Sequence, residues 1–492
     1  MSARLSTGVA GLDDITQGGL FRECAYMVTG GPGTGKTTLS LQFLTADPHE
    51  SSLYVTLDKN LKKVQWIAES MGMNTRNLHL EDLSPLDVHE EIGNAFDIIP
   101  SSDLGLGRIF ESICAAVERH KPKRVVIEPL SMLHGLAPDP YQFRRQCLAL
   151  FNFIAEHGAT LLFSGETNPA EAGQENLEFI ADGYFKLTAM RQGRSLAVCK
   201  FRGSGFKNGL HYLRLTDAGM RVIPRLIPSE HYRKIPAEVL SFDIPELDTM
   251  LKGGLDRGTI TIIAGPTGAG KTTLGMQFVS AEARRGHRSV VYTFEEEVES
   301  LVHRCERLGM PVAGMVEEGT LRLRSVEPIL YAPDELALEM RDEVEKQGAS
   351  TIMIDSTSGY VLAVENLSVS GENPVGRLHA TCRYLVAMGI NVILVNETPH
   401  ITSQIVTPTD PHISYLSHTL IMLRFMEFES EVRKAIGVLK RRLGDFEKKL
   451  RSFEIMEDGI KVGPPLTGLR GILTGQPTMD EWGWRKDPDV DL

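Results

Sequence analysis

Short, almost wholly apolar runs recur along the chain, separated by longer stretches in which apolar residues return every three or four positions. In the first half these runs are YMVT at 26–29, SLYVTL at 52–57, RVVIEP at 124–129 and ATLLFSGET at 159–167. Their counterparts in the second half are TIIA at 261–264, SVVYTF at 289–294, STIMIDS at 350–356 and INVILVNET at 390–398. Strands this apolar, alternating with helical periodicity, predict an α/β fold with a mostly parallel sheet flanked by helices. Each half closes on runs of alternating character, SLAVCKFRG at 195–203 and KAIGVLKRR at 434–442, which read as further strands.

The two halves are copies. The segment STGVAGLDDITQGGLFRECAYMVTGGPGTGKTTLSLQF from Ser6 aligns without a gap on SFDIPELDTMLKGGLDRGTITIIAGPTGAGKTTLGMQF from Ser241, and the offset from Lys36 to Lys271 is 235 residues. Agreement over that length implies duplication of a whole domain. Prolines and charges replace apolar periodicity in RLIPSEHYRKIPAEV at 225–239, so we expect one domain at 1–232, a second at 233–462 and an irregular tail, rich in Gly, Pro and Asp, at 463–492.

Composition narrows the class further. A length of 492 residues exceeds what one core usually supports, and 42% apolar with 24% charged residues describes an ordinary globular chain. The net charge of −12 argues against coating nucleic acid or anionic membrane, both of which need a basic surface. The six cysteines are scattered with no C-x-x-C pair, which favours reduced thiols, and none of the 14 histidines forms a metal-ligand pattern. No signal-like segment and no run approaching the ~18 apolar residues of a membrane span is present, so the expected location is cytoplasmic.

The chemistry sits in two loops. Gly30-Gly31-Pro32-Gly33-Thr34-Gly35-Lys36-Thr37 and Gly265-Pro266-Thr267-Gly268-Ala269-Gly270-Lys271-Thr272 both fit G-x-x-x-x-G-K-[ST], and each stands between an apolar strand and a helix. Glycines let backbone N–H groups wrap a phosphate, and the helix N-terminus adds positive potential. Lys36 and Lys271 would meet the β and γ phosphates, Thr37 and Thr272 would hold Mg²⁺, and Thr38 and Thr273 complete the cradle. ATP with Mg²⁺ is therefore the expected cofactor. Asp355, at the end of TIMID, stands where a strand-terminal carboxylate holds Mg²⁺, and Glu128 is its longer counterpart in the first half. Glu295 and Glu296 follow the next strand, where a carboxylate can activate water or a hydroxyl for attack on the γ-phosphate; an acidic cluster at a helix start would look the same.

Together these residues resemble the KaiC family, double-domain ATPases of the RecA superfamily. The likeness spans residues 5–478 and includes both P-loops, the L-D-x-x-x-x-G-G-L leader of each half and the acidic pair of the second. It extends through TDPHISYLSHTLIMLRF at 409–425, AIGVLKRR at 435–442 and ILTGQPT at 472–478. The resemblance implies two tandem RecA-like domains, stacking as two rings of a homohexamer, with a slow ATPase in the first half and an autokinase in the second. It implies phosphoryl transfer across the subunit boundary to Ser414, while Tyr415 replaces the family's second acceptor, a threonine; Thr409 and Asp410 match neighbouring site positions and His412 shapes the loop. It also assigns Lys440 and Arg442, with Lys200 and Arg202 in the first half, to the neighbouring subunit's γ-phosphate, where a cation stabilises transferring charge. The chain's last residues, MDEWGWRKDPDVDL, show no clear likeness to the family's partner-binding end, so any regulatory protein partner is unnamed.

Two other readings compete. A recombination or helicase-type motor of the same superfamily, related to RecA and RadA, would use the basic run KRRLGDFEKKLR at 440–451 on DNA, against the acidic balance of the chain. A scaffold that uses ATP only to assemble is the other, and intact Lys271, Asp355, Glu295 and Glu296 disfavour it for the second half. In the first half, Lys59 stands where the second half has glutamate, leaving Asp58 as a shorter candidate base. A lysine does not accept a proton at neutral pH unless strongly desolvated, so we expect the first domain to bind ATP tightly and hydrolyse it poorly.

Overall fold

In the computed structural model the chain divides into two compact units, residues 1–225 and 226–492. The structure describes residues 4–58, 61–84, 102–137, 139–165, 177–190, 193–327, 333–365, 373–398, 415–428, 430–472 and 478–479.

The first unit is built on nine strands: β1 (Ala25–Thr29), β2 (Ser52–Thr56), β3 (Leu78–Asp82), β4 (Arg124–Glu128), β5 (Thr160–Gly165), β6 (Gly183–Met190), β7 (Gly193–Phe201), β8 (Leu210–Thr216) and β9 (Gly219–Ile223). They form one sheet in the order β9-β8-β7-β6-β1-β5-β4-β2-β3. From β3 to β6 every pairing is parallel, and β7 to β9 continue the sheet antiparallel. The second unit repeats the plan with β10 (Ile260–Gly265), β11 (Ser289–Thr293), β12 (Leu321–Ser325), β13 (Thr351–Asp355), β14 (Asn391–Glu397), β15 (Thr419–Phe428), β16 (Glu431–Arg441), β17 (Arg451–Met456) and β18 (Gly459–Pro465). Their order, β18-β17-β16-β15-β10-β14-β13-β11-β12, is that of the first sheet strand for strand. The apolar runs announced a repeated α/β unit with a mostly parallel sheet, and the resemblance implied its RecA-like class; the structure has both.

The central strands are apolar on both faces because both faces are covered. Ile263, Val291, Met353 and Ile393 pack toward the P-loop helix α5 (Lys271–Arg284), while Ile262, Tyr292, Ile354 and Leu394 pack into a second core on the opposite face. In the first unit the same role falls to helix α1 (Lys36–Thr45) on one face and to two long helices, Ser102–His120 and Pro140–Glu156, on the other. Beyond β18 a two-residue strand at Leu469–Arg470 pairs with Thr478–Met479. All six cysteines are free thiols, and among the described residues no helix is long and apolar enough to cross a membrane.

Register delivers the chemistry to one edge of each sheet. Thr56 lies opposite Glu128 and Thr293 opposite Asp355, so the carboxylates ending β4 and β13 arrive beside the strands that precede Asp58 and Glu295. Glu397 lies opposite Gly265, which puts the end of β14 beside the second P-loop.

Candidate active site

Both loops take the shape that their glycines require. Gly35 and Gly270 cap α1 and α5 with φ of 102° and 103°, a region that disfavours any side chain. A Cβ on Gly270 would stand 2.4 Å from Ile455 Cδ1, and one on Gly35 would stand 2.6 Å from Met220 Cε. Gly31 and Gly33 face open space, while Gly30 and Gly265 pack at the strand ends behind the loop. Helices α1 and α5 then begin at the lysines, so Thr37, Thr38, Thr272 and Thr273 fall in the first turn, where backbone N–H groups lack helical partners.

Around the second loop lies a cavity of about 1100 Å³, lined by Gly268, Gly270, Lys271, Thr272 and Thr273, by Glu295, Glu296, Asp355 and Glu397, and by Ile455, Met456 and Glu457 on the far side. The corresponding cavity of the first unit measures about 330 Å³ and is lined by Gly31, Gly33, Gly35, Lys36, Thr37 and Thr38 with Asp58 and Glu128. Most of the expected phosphate-side residues are therefore brought together in each unit. Lys271 is buried, its Nζ donating to Pro266 O at 2.9 Å, and Lys36 donates to Gly30 O at 2.5 Å. Desolvation lowers the Lys271 pKa, against the pull of Glu397, Asp355 and Glu295 around it.

The carboxylates differ in what they touch. Burial pushes Asp355 up to about 6, opposed by a hydrogen bond from Thr272, while the charge of Glu295 pushes it up further. Glu295 accepts a short hydrogen bond from Ser356. Glu296 turns away onto helix α6 (Val298–Arg307), pairing with Arg304 at 2.8 Å and accepting from Ser300 at 3.0 Å. In the first unit Glu128 is almost fully buried and accepts from Thr37 at 2.8 Å and from Tyr54 at 2.9 Å, on separate oxygens.

None of the four expected trans-acting cations lines the cavity of its own unit. Lys200 Nζ donates to the carbonyls of Glu178 and Phe179, and Arg202 to Phe179 O and Asp182. Lys440 Nζ donates to Ser417 Oγ at 3.3 Å, and Arg442 to Tyr415 O at 2.7 Å. Ser414, Thr409, Asp410, His412 and Lys59 lie outside the described residues.

Several participants escaped sequence reasoning. Tyr54, Ser356 and Arg304 look like core or helix residues until their partners are known, and Glu397, which accepts from Thr267 on the loop itself, was passed over. Its signal was present, since the apolar runs ATLLFSGET and INVILVNET both close on Glu-Thr. Arg194 of the first unit, donating to Gly33 O at 2.9 Å, had no such cue.

The donor set suits ATP with a divalent ion: an open-faced glycine loop, a lysine held beside it, and a threonine hydroxyl bonded to a strand-end carboxylate in each unit. Among the described residues no cluster of three or more His, Cys, Asp or Glu side chains is arranged to hold a metal alone, so such an ion would depend on phosphate oxygens and water for the rest of its shell.

Comparison with known proteins agrees with this geometry. The family model for the KaiC ATPase matches twice, over residues 5–227 and 240–467. The circadian clock protein KaiC3 of Synechocystis sp. is 26% identical over 486 residues, covering 96% of this chain and 94% of that protein. The circadian clock oscillator proteins KaiC of Acaryochloris marina and Synechococcus elongatus are each 26% identical, covering 98% and 97% of this chain and 93% and 92% of their own lengths. Two P-loop units of one topology, both matched by the same family model, make this chain a member of the KaiC ATPase family.

Proposed function

We propose that the protein is an ATP-Mg²⁺-dependent ATPase and serine autokinase that works as a homohexamer of two stacked rings, with a signalling or clock-like output. The observation that carries this reading is the grouping in the second unit of Lys271, the Thr272–Asp355 hydrogen bond and Glu295 around one cavity. Mg²⁺ bound with the nucleotide would neutralise charge on the β and γ phosphates. Thr272 and Asp355 would hold that ion, Lys271 and the loop N–H groups would bind the phosphates, and Ile455 and Met456 line the far side of the cavity.

Glu295 is the base. It takes the proton from the attacking oxygen, either water or the Ser414 hydroxyl of a neighbouring copy. As that oxygen bonds to the γ-phosphorus, the bond to the bridging oxygen breaks and ADP leaves. Lys440 and Arg442 of the adjoining copy meet the γ-oxygens, as Lys200 and Arg202 do in the first ring. The first unit has the smaller cavity and only Asp58 at the base position, which supports tight binding with slow turnover.

The DNA-motor reading finds less support, since two cations of its basic run are paired with carboxylates, Arg441 with Asp256 at 3.1 Å and Arg451 with Glu447 at 2.8 Å. The deciding experiment incubates the protein with γ-labelled ATP and Mg²⁺ and maps the label in wild type, Ser414→Ala and Glu295→Gln. We expect label on Ser414 that is lost in both variants. Normal turnover without any labelled residue would reduce the protein to an ATPase.

A further inference from the structure

We infer that Tyr54 is a positioning residue: its hydroxyl holds Glu128 where the first unit's nucleotide-bound ion needs a carboxylate. The inference rests on the reading of the first unit as a nucleotide-holding site.

The argument begins with a methylene. Glu128 occupies the strand end that Asp355 occupies in the second unit, yet it has one more rotatable bond and reaches further. A longer carboxylate must be restrained to present one oxygen to Thr37. Strand register supplies the restraint, because Thr56 pairs with Glu128 and Tyr54 pairs with Val126. Side chains two apart share a face, so Tyr54, Val126 and Glu128 all face α1, the helix that carries Thr37. The tyrosine ring lies in that core with 0% exposure, and its hydroxyl extends along the sheet to Glu128 Oε2 at 2.9 Å. Thr37 Oγ1 takes the other oxygen at 2.8 Å. A phenol is un-ionised at neutral pH and a carboxylate can only accept, so the hydroxyl is the donor.

The second unit is a built-in control. The third residue of its equivalent strand, SVVYT against SLYVT, is Val291, which has nothing to donate. There the shorter Asp355 interacts with Thr272, and Val291 has no hydroxyl to offer it. The longer carboxylate and the phenol that restrains it thus occur together in one unit and are both missing from the other.

The test isolates the first site by placing every variant in a Lys271→Ala background. A fluorescent N-methylanthraniloyl ATP is bound at increasing Mg²⁺, and the half-saturating Mg²⁺ concentration is read alongside nucleotide affinity in EDTA. Losing a hydrogen bond to a buried carboxylate should raise the Mg²⁺ requirement of Tyr54→Phe roughly tenfold while affinity in EDTA is unchanged. The same change made on top of Glu128→Asp should have less than a twofold effect, because the shortened side chain no longer reaches the phenol. An unchanged Mg²⁺ requirement in Tyr54→Phe overturns the assignment. So does a tenfold effect that persists with Glu128→Asp, which would show that the hydroxyl acts by another route. A Lys271→Ala protein that binds no nucleotide at any Mg²⁺ concentration instead overturns the reading of the first site on which the inference stands.

Discussion

Arg304 Nη2 lies 2.8 Å from Glu296 Oε2, and this pair turns one of two adjacent carboxylates out of the phosphate end of the second cavity. Ser300 takes the other oxygen of Glu296 at 3.0 Å, while Glu295 accepts from Ser356 and bears on both Asp355 and Lys271. Two neighbouring glutamates thereby acquire different partners, one beside Ser356 and one on α6.

The first prediction follows from that split. Glu295→Gln should lower both hydrolysis and self-phosphorylation by about 10²- to 10⁴-fold, the usual contribution of a positioned base. Glu296→Gln should retain most of the activity, because a glutamine still bonds Ser300 and Arg304. Single-turnover rates with labelled ATP distinguish them, and equal losses in both variants would contradict the division.

A second prediction concerns pH. Asp355 has its pKa raised from 3.8 to about 6, chiefly by burial, so its protonated form is favoured by the fold. The stability contributed in this way is complete below about pH 4 and is lost as pH rises through about 6. Metal loading runs the other way, since holding Mg²⁺ needs the ionised carboxylate. Thermal melting of the nucleotide-free protein should therefore show this group favouring acid, whereas the Mg²⁺ requirement for nucleotide binding at the second site should rise about tenfold for each pH unit below 6. Asp355→Asn should abolish that acid dependence.

Third, Lys271→Ala should reduce total ATP turnover by about two orders of magnitude, the typical loss of one group that stabilises transition-state charge. Bound nucleotide should remain, held by the first P-loop. Brisk hydrolysis in this variant would show the first unit to be an efficient enzyme.

Gly270→Ala offers a fourth. With φ at 103° and a Cβ placed 2.4 Å from Ile455 Cδ1, the alanine meets strain of roughly 1–2 kcal/mol from the backbone alone, plus a displaced side chain in the core. Loss of ATP affinity with a lowered melting temperature is expected. Ile455→Ala in the same chain should recover part of the melting temperature and little of the affinity, because the left-handed φ remains wrong for alanine.

How much of this could be read beforehand depends on range along the chain. The P-loops were legible because their function is written in eight consecutive residues, and the sheets because uninterrupted apolar runs have few other places to go. Asp355 and Glu128 were legible as strand ends. The contacts that set them apart were not, since Tyr54 reaches Glu128 only through the register between two strands distant in sequence. A tyrosine in an aliphatic run does advertise a hydroxyl that needs a partner, but its identity lies in the third dimension. The fates of Glu295 and Glu296 depended likewise on Ser356 and Arg304, one brought by a neighbouring strand and the other by two turns of helix.

Lys200, Arg202, Lys440 and Arg442 donate to backbone carbonyls or to a serine hydroxyl, and Arg202 also reaches Asp182 at 3.4 Å. A guanidinium or ammonium parked on neutral oxygens surrenders little when an anion is offered, whereas one locked against a carboxylate would resist the exchange. Were copies to assemble into the proposed ring, these side chains would be exchangeable tokens between its members. The fuel state of one copy would then be recorded in the grip of the next, and particle mass would become a readout of the ratio of ATP to ADP.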